Sequence, residues 1–464
     1  VITEEQWKGV TRWVNQKRDR SLEDLNVLLR LPTMAHLDTT NPALHECAQV
    51  LVDMLTSIGA ADASIGGSDL HPLVLGSIGD DPLKPTLLMY GHFDVEDPGP
   101  LDQWYSPPFE PTIRNGRIFA RGTGDNKGQF LSYFLAVQAF RDCGIELPVN
   151  LKFVLDGAEE IGSPSLATLR DTLPEAMQAD LVFCADGTVH ENGNPKIVLG
   201  SRGVVYLEIR IRTLRRSSHS QYAAVLPNAA WRAVEVLNSL RDENGRISVP
   251  GFYDNVIAPT PDELALLNGM PPVADALAEE FTPQPPFPSR TTEEFNYQLL
   301  MEPFLNIAGI VTGDAVSYTT VVPGDAVLKI DIGIVPDQTP EEIADKARQH
   351  LAGFGIEPSD VTVIFVADPT RTPVDHPLVQ PMADALRRGW QAPPVIVNRF
   401  GGYSGHHYHW DKLGIKAISA SYGQPDQSNH APNENLLLEN FYKGILATAA
   451  IYDAVGTAGY RRQG

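Results

Sequence analysis

The sequence predicts an α/β protein with a mixed sheet, interrupted by a smaller α+β unit. Three observations predict it. Up to about Arg202, helical and strand patterns alternate. From Gly203 the strands change texture and alternate apolar with polar residues, as strands with one solvated face do. After Pro373 the first texture returns, so the middle part reads as an insertion into one larger domain, giving the segments 1–202, 203–371 and 372–464.

The elements follow in order. Leu44 to Ile58 carries apolar residues at three- and four-residue spacing, a helix with one buried face. Pro85 to Tyr90 is a short apolar strand stopped by Gly91. Phe130 to Phe140 is a mostly apolar helix that opens after the glycine-rich Gly122–Gly128. Val149 to Leu155 and Asp180 to Cys184 read as buried strands. In the middle part, Val204–Ile211 and Val327–Ile332 alternate like half-exposed strands, and Asn228 to Leu240 is helical. Pro250 to Ser289 is rich in proline. Thr339 as N-cap, Pro340 in the first turn and Glu341-Glu342 behind them start a helix to Leu351, which hands over to the strand Val361–Val366. The chain closes on a helix from Leu438 to Val455. In such alternating folds, ligands bind outside the carboxyl ends of the strands.

Composition excludes several functions. With 43% hydrophobic and 20% charged residues, the chain is an ordinary folded protein. A formal net charge of −22 without a Lys/Arg run offers no phosphate-binding stripe, so nucleic acid is not an expected partner. No window approaches the apolar length of a membrane span. The N-terminus shows no basic stretch followed by an apolar one, and the three cysteines, Cys47, Cys143 and Cys184, are too scattered for a disulfide framework. Both features suit the cytoplasm.

Chemistry concentrates at strand ends. Glu159-Glu160 follows an apolar strand, and on an extended backbone the two would point to opposite sides, one free to bind a metal and the other to act as a base. His92 and Asp94, one residue apart, can face one side, with Asp94 placed to orient the imidazole. Asp125 lies in a glycine-dense turn that lacks the Walker pattern. Asp186 follows a buried strand, and His430 sits in the turn-rich Ser428–Glu434. Imidazoles and carboxylates together indicate one or two divalent ions.

The ordered set Gly91-His92-Phe93-Asp94-Val95, Gly122–Gly128, Asp156–Ser163, Ala185-Asp186-Gly187 and His430 resembles the M20 family of dinuclear metallopeptidases, and within it the carnosinase-like dipeptidases. The resemblance runs from about residue 20 to the C-terminus and includes Trp104 to Phe109. It implies an α/β/α metallopeptidase catalytic domain carrying an inserted, ferredoxin-like lid and dimerisation domain. His92 and Asp186 would bind one ion, Glu160 and His430 the other, and Asp125 would bridge them. Asp94 would orient His92, and Glu159 would be the general base for an activated water. Zinc is the first choice of metal, with manganese or cobalt as alternatives. His219, in Ser217-Ser218-His219-Ser220, matches the histidine that stabilises the oxyanion, often from a partner subunit, which implies a homodimer.

On the substrate side the candidate residues are Thr320, Gly333, Arg399, Gly402, Tyr403 and, near the return to the main domain, His376. Here the chain departs from the family. Gly333 stands where an arginine usually clamps the substrate carboxylate, and Phe400 and Tyr403 stand where glutamate and serine are usual. Arg399 is the alternative clamp. The expected activity is hydrolysis of a C–N amide bond in a dipeptide or N-acyl amino acid. An aromatic, non-peptide amide without a carboxylate is the alternative, and a non-catalytic binding protein on the same fold the second. His406, His407 and His409 form a rival cluster that reads as structural or pocket-lining.

Overall fold

A computed structural model describes residues 2–281, 291–314, 316, 319–403 and 407–462. Its larger unit is built on an eight-stranded mixed sheet, in the order Ser64–Gly67, Pro72–Ile78, Asn150–Asp156, Thr86–His92, Leu181–Cys184, Ala417–Ser421, Lys196–Val198 and Val395–Val397. The four central strands, from Asn150–Asp156 to Ala417–Ser421, run parallel. Their register pairs His92 with Asp156 and Tyr90 with Cys184, so the carboxyl ends finish at one level.

Helices cover both faces, as an apolar central sheet requires. The larger core joins one face to the helices Pro42–Ile58, Lys127–Asp142, Val379–Trp390 and Leu438–Ala458. A smaller core sets Leu166, Leu169 and Trp410 against Leu88, Tyr90 and Val182 on the other. The expected helix at Leu44 starts at Pro42, where Asn41 caps it by accepting from the Ala43 N–H, and Gly59 ends it at φ 112°.

The second unit is a four-stranded antiparallel sheet in the order Phe304–Thr312, Asp325–Ile334, Ser201–Arg212 and Val361–Ala367. Helices Ala229–Ser239 and Pro340–Ala352 cover one face around their own core. This is the ferredoxin-like arrangement. The edge strand Phe304–Thr312 leaves Ile307, Ile310 and Val311 exposed. Phe400–Tyr403 joins the start of Ser201–Arg212 in parallel and so links the two units. The proline-rich stretch holds more structure than its composition suggested: helix Pro261–Asn268 opens on its proline and helix Ala274–Phe281 follows Pro271-Pro272, while residues 282–290 lie outside the described residues. The strand Phe304–Thr312 also escaped the sequence reading, because its burial follows no clean alternation. Among the described residues, no helix is long and apolar enough to cross a membrane.

Candidate metal centre

Five chain segments deliver donor atoms to the carboxyl edge of the parallel strands. His92 is the last residue of its strand and is buried. Its Nε2 lies 2.9 Å from Asp125 Oδ1 and 3.9 Å from Asp186 Oδ2. The other Asp125 oxygen, Oδ2, is 3.0 Å from His430 Nε2, which in turn is 3.2 Å from Glu160 Oε2. Asp125 thus touches both imidazoles, one through each oxygen. Donor atoms of His92, Asp125 and Glu160 lie within 4.8 Å of one another, as do those of Glu96, Glu160 and His430. Glu96 was not legible as a candidate, since nothing in its local sequence sets it apart.

Asp94 does more than orient His92. The His92 Nδ1 is 3.2 Å from the Asp94 carbonyl oxygen and 3.3 Å from its Oδ1. The two Asp94 carboxylate oxygens also accept the N–H groups of Glu159 and Glu160, both at 3.0 Å. The expected extended backbone at the glutamate pair is therefore corrected: the strand ends at Asp156, and Glu159–Ile161 forms a short 3-10 turn hung on Asp94. A carboxylate that accepts two successive N–H groups stabilises a turn there, not a strand.

The Asp125 loop is shaped by a group the sequence reading passed over. Glu434, fully buried, accepts from the N–H groups of Gly122 (3.0 Å), Gly124 (2.9 Å) and Asp125 (3.1 Å), and pairs with the buried Arg121 guanidinium at 2.8 Å. The only hint was its place four residues after His430. Asn126 ties the loop to the sheet, donating to the Ala185 carbonyl and accepting the His92 N–H. Gly128 lets the chain turn this tightly, since a Cβ there would lie 2.1 Å from the Thr123 carbonyl oxygen.

The electrostatics of this cluster call for positive charge. Burial, reinforced by Asp125, raises Asp186 to about 6 and Glu160 to about 8. Burial also pushes Glu159 well above the usual carboxylate range. His430, hydrogen-bonded to Asp125 and Glu160, rises to about 11. Burial alone would lower His92, but its contacts with Asp125 and Asp94 outweigh that and raise it well above normal. Glu160 Oε1 is buried with no hydrogen-bond partner among the described residues. A group of acids this close ionises fully only beside a cation, and a mixed imidazole–carboxylate donor set fits a divalent metal.

A cleft of ≈ 250 Å³ opens over these residues. Asp125, Glu159, Glu160, Asp186 and His430 form its floor, and Lys196, Phe400, Tyr403 and His407 stand on its walls. Tyr403 packs edge-on against Phe365, and its hydroxyl is buried with no hydrogen-bond partner among the described residues. The neighbouring Gly402 and Arg399 do not line the cleft; Arg399, in the bend before Phe400–Tyr403, is buried, and Glu263 is the leading acidic charge acting on it. Gly333 is covered: a Cβ there would fall 2.2 Å from the Phe304 ring, whose own neighbour is the Arg202 guanidinium. His376 spends its ring against Tyr460, 4.8 Å between centroids, outside the cleft. His219 and Thr320 meet on the second unit, with Nε2 and Oγ1 3.4 Å apart, both exposed to solvent. Of the three-histidine stretch, His407 contacts Ser419 Oγ at 2.8 Å in the cleft wall, and His409 lies 3.4 Å from Arg170 away from it. Burial lowers His407 to about 4 and His409 to about 3, which keeps both neutral. His406 lies outside the described residues.

Comparison with known proteins identifies the family. The model of peptidase family M20/M25/M40 matches residues 88–454. The chain is 29% identical over 460 residues to the Cys-Gly metallodipeptidase dug1 of Schizosaccharomyces pombe, covering 93% of this chain and 94% of that one. It is 33% identical over 393 residues to the Beta-Ala-His dipeptidase of Rattus norvegicus, covering 82% and 79%. The structure of an M20 family metallo-carboxypeptidase, Sso-CP2 from Sulfolobus solfataricus, superposes with a TM-score of 0.87 at 28% identity, over 94% of this chain and 99% of that one. Since the match takes in every strand end that contributes to the acid–imidazole cluster, the chain belongs to peptidase family M20/M25/M40 and is a metal-dependent peptidase.

Proposed function

We propose that this enzyme hydrolyses the peptide bond of dipeptide-sized substrates, with Glu159 as the general base. One observation carries the reading. Glu159 lines the cleft beside the candidate ligands, yet its carboxylate makes no hydrogen bond or ion pair among the described residues. An acid left free at that position, and made more basic by burial, suits proton transfer. Dipeptides are the named substrates of the Schizosaccharomyces pombe and Rattus norvegicus relatives, and a small cleft agrees with substrates of that size.

His92 and Asp186 would hold one ion, Glu160 and His430 a second, and Asp125 would reach both; zinc suits the donors best, with manganese or cobalt next. Divalent ions supply Lewis-acid polarisation of the scissile carbonyl and ease deprotonation of the attacking water. Glu159 Oε accepts that water's proton and returns it to the leaving nitrogen, while Asp94 holds both the His92 ring and the turn that carries Glu159. His219 and Thr320 are exposed on the inserted unit and do not line their own subunit's cleft, which supports their serving the cleft of a second copy in a homodimer.

The test is kinetic. Glu159→Ala should lower kcat by about 10²–10⁴-fold on the best dipeptide while retaining metal measured by elemental analysis. Full metal content with unchanged turnover would remove Glu159 from the reaction. For the second copy, mixing inactive His219→Ala with inactive Glu159→Ala subunits should restore activity in the hybrid dimer. No recovery on mixing would place His219 in its own subunit's site or outside the chemistry.

A further inference from the structure

One charged side chain in the cleft has no part in the metal chemistry. Lys196 opens the strand Lys196–Val198 and lines the same cleft as Asp186 and Glu159. Its register with Ala417–Ser421 pairs Lys196 with Ser421 and Val198 with Ser419. All four of these residues line the cleft, whereas Ile197 between them is in the core. Alternation along the strand therefore turns Lys196 toward the substrate space. Its ammonium makes no hydrogen bond or ion pair among the described residues. Burial, only partly opposed by Glu191, pulls its pKa down to about 8. The strand that carries Asp186 lies two places away, with Ala417–Ser421 between them. That spacing is about 10 Å between backbones. Part of it is bridged by the lysine stem, and the remainder matches one or two residues of peptide at about 3.5 Å each.

The other cations nearby are engaged elsewhere. Arg202 donates to the carbonyls of Gly401, Gln298 and Glu302. Arg399 does not line the cleft, and position 333 offers no side chain. Apart from the candidate ligands and Glu159, Lys196 is the only charged residue on the cleft lining among the described residues.

We propose that Lys196 is the anion anchor of this cleft, binding a carboxylate of the peptide substrate and selecting acidic over neutral amides. The proposal rests on the metallopeptidase reading of the same cleft. Two sources of carboxylate fit: the C-terminal group of the leaving amino acid, or an acidic side chain on the acyl half.

Two matched pairs of substrates separate them: Ala-Ala against Ala-Ala amide, and Glu-Ala amide against Gln-Ala amide, each assayed with wild type, Lys196→Met and Lys196→Arg in zinc or manganese. Lys196→Met should raise KM by about 10- to 100-fold for the carboxylate member of one pair, the worth of a charged hydrogen bond. Its neutral twin and kcat should hardly change, and Lys196→Arg should restore most of the loss. Loss confined to the first pair assigns the leaving-group carboxylate, and loss confined to the second assigns the acyl side chain. Equal effects on both members of each pair, or none, would overturn the proposal. The same four peptides titrated calorimetrically into the Glu159→Ala protein give a readout independent of turnover. If wild type cleaves none of them, the activity assignment fails, and the calorimetric difference between the members of each pair still decides on Lys196.

Discussion

Removing Glu434 should both destabilise the protein and loosen the metal centre, although this residue reaches no ligand position itself. Its Oε1 accepts the Gly124 and Asp125 N–H groups, and its Oε2 accepts the Gly122 N–H and an Arg121 guanidinium N–H. Both partners of the ion pair are at most 1% exposed, so Glu434→Ala leaves a buried guanidinium without its counter-charge and three backbone donors without an acceptor. Breaking a buried pair by deleting one partner costs about 3–5 kcal/mol, and the orphaned donors push the value toward the upper end. Because the same N–H groups set the direction of Asp125, metal affinity should fall by about 10–100-fold, as when a group supporting a ligand is lost. Trp104 stands 5.5 Å from the Arg121 guanidinium, so its fluorescence in a urea titration reports on this loop. Calorimetric titration with zinc gives the affinity. Glu434→Gln keeps the volume but turns an NH₂ group toward two donors, so it should recover only part of the loss. A Glu434→Ala protein within about 1 kcal/mol of wild type, the usual size of a surface substitution or a little more, with unchanged zinc affinity would refute this account of the loop.

Metal uptake should release protons at pH 7. Glu160, raised to about 8, and His430, raised to about 11, are protonated in the metal-free protein, and metal requires both unprotonated. Apparent affinity should therefore climb as pH rises from 6 to 8, and the calorimetric enthalpy should vary with the ionisation enthalpy of the buffer; a buffer-independent enthalpy would contradict the raised values. Gly333→Arg should destabilise the inserted unit by about 1–3 kcal/mol in denaturant titration, because the new Cβ meets the Phe304 ring. Adding Phe304→Ala should relieve most of that cost, and an equally stable single variant would show that the ring moves aside freely.

Much of the fold was legible because the parallel strands are buried on both faces. Continuous apolar runs such as Leu87–Tyr90 and Leu181–Cys184 then stand out from the helices between them. The inserted sheet was legible for the opposite reason, since its strands Ser201–Arg212 and Asp325–Ile334 alternate buried with less buried residues. Phe304–Thr312, mostly exposed, carried neither signal. At the site, acids and histidines placed directly after strands announced themselves. Their supports did not: Glu434 and Asn126 act through backbone groups 310 and 59 residues away along the chain, and no local pattern encodes partners so distant.

The order and type of the strand-end donors were thus written in the sequence, since strand direction alone commits His92, Asp156 and Asp186 to one edge of the sheet. Tertiary structure decided which atoms meet. It split the two Asp125 oxygens between His92 and His430, hung the Glu159-Glu160 turn on Asp94, closed the space beside Gly333 with Phe304 and turned Lys196 into the cleft. The physical reason is that periodicity sets the side to which a residue points, whereas the distance between two side chains depends on the packing of every element between them.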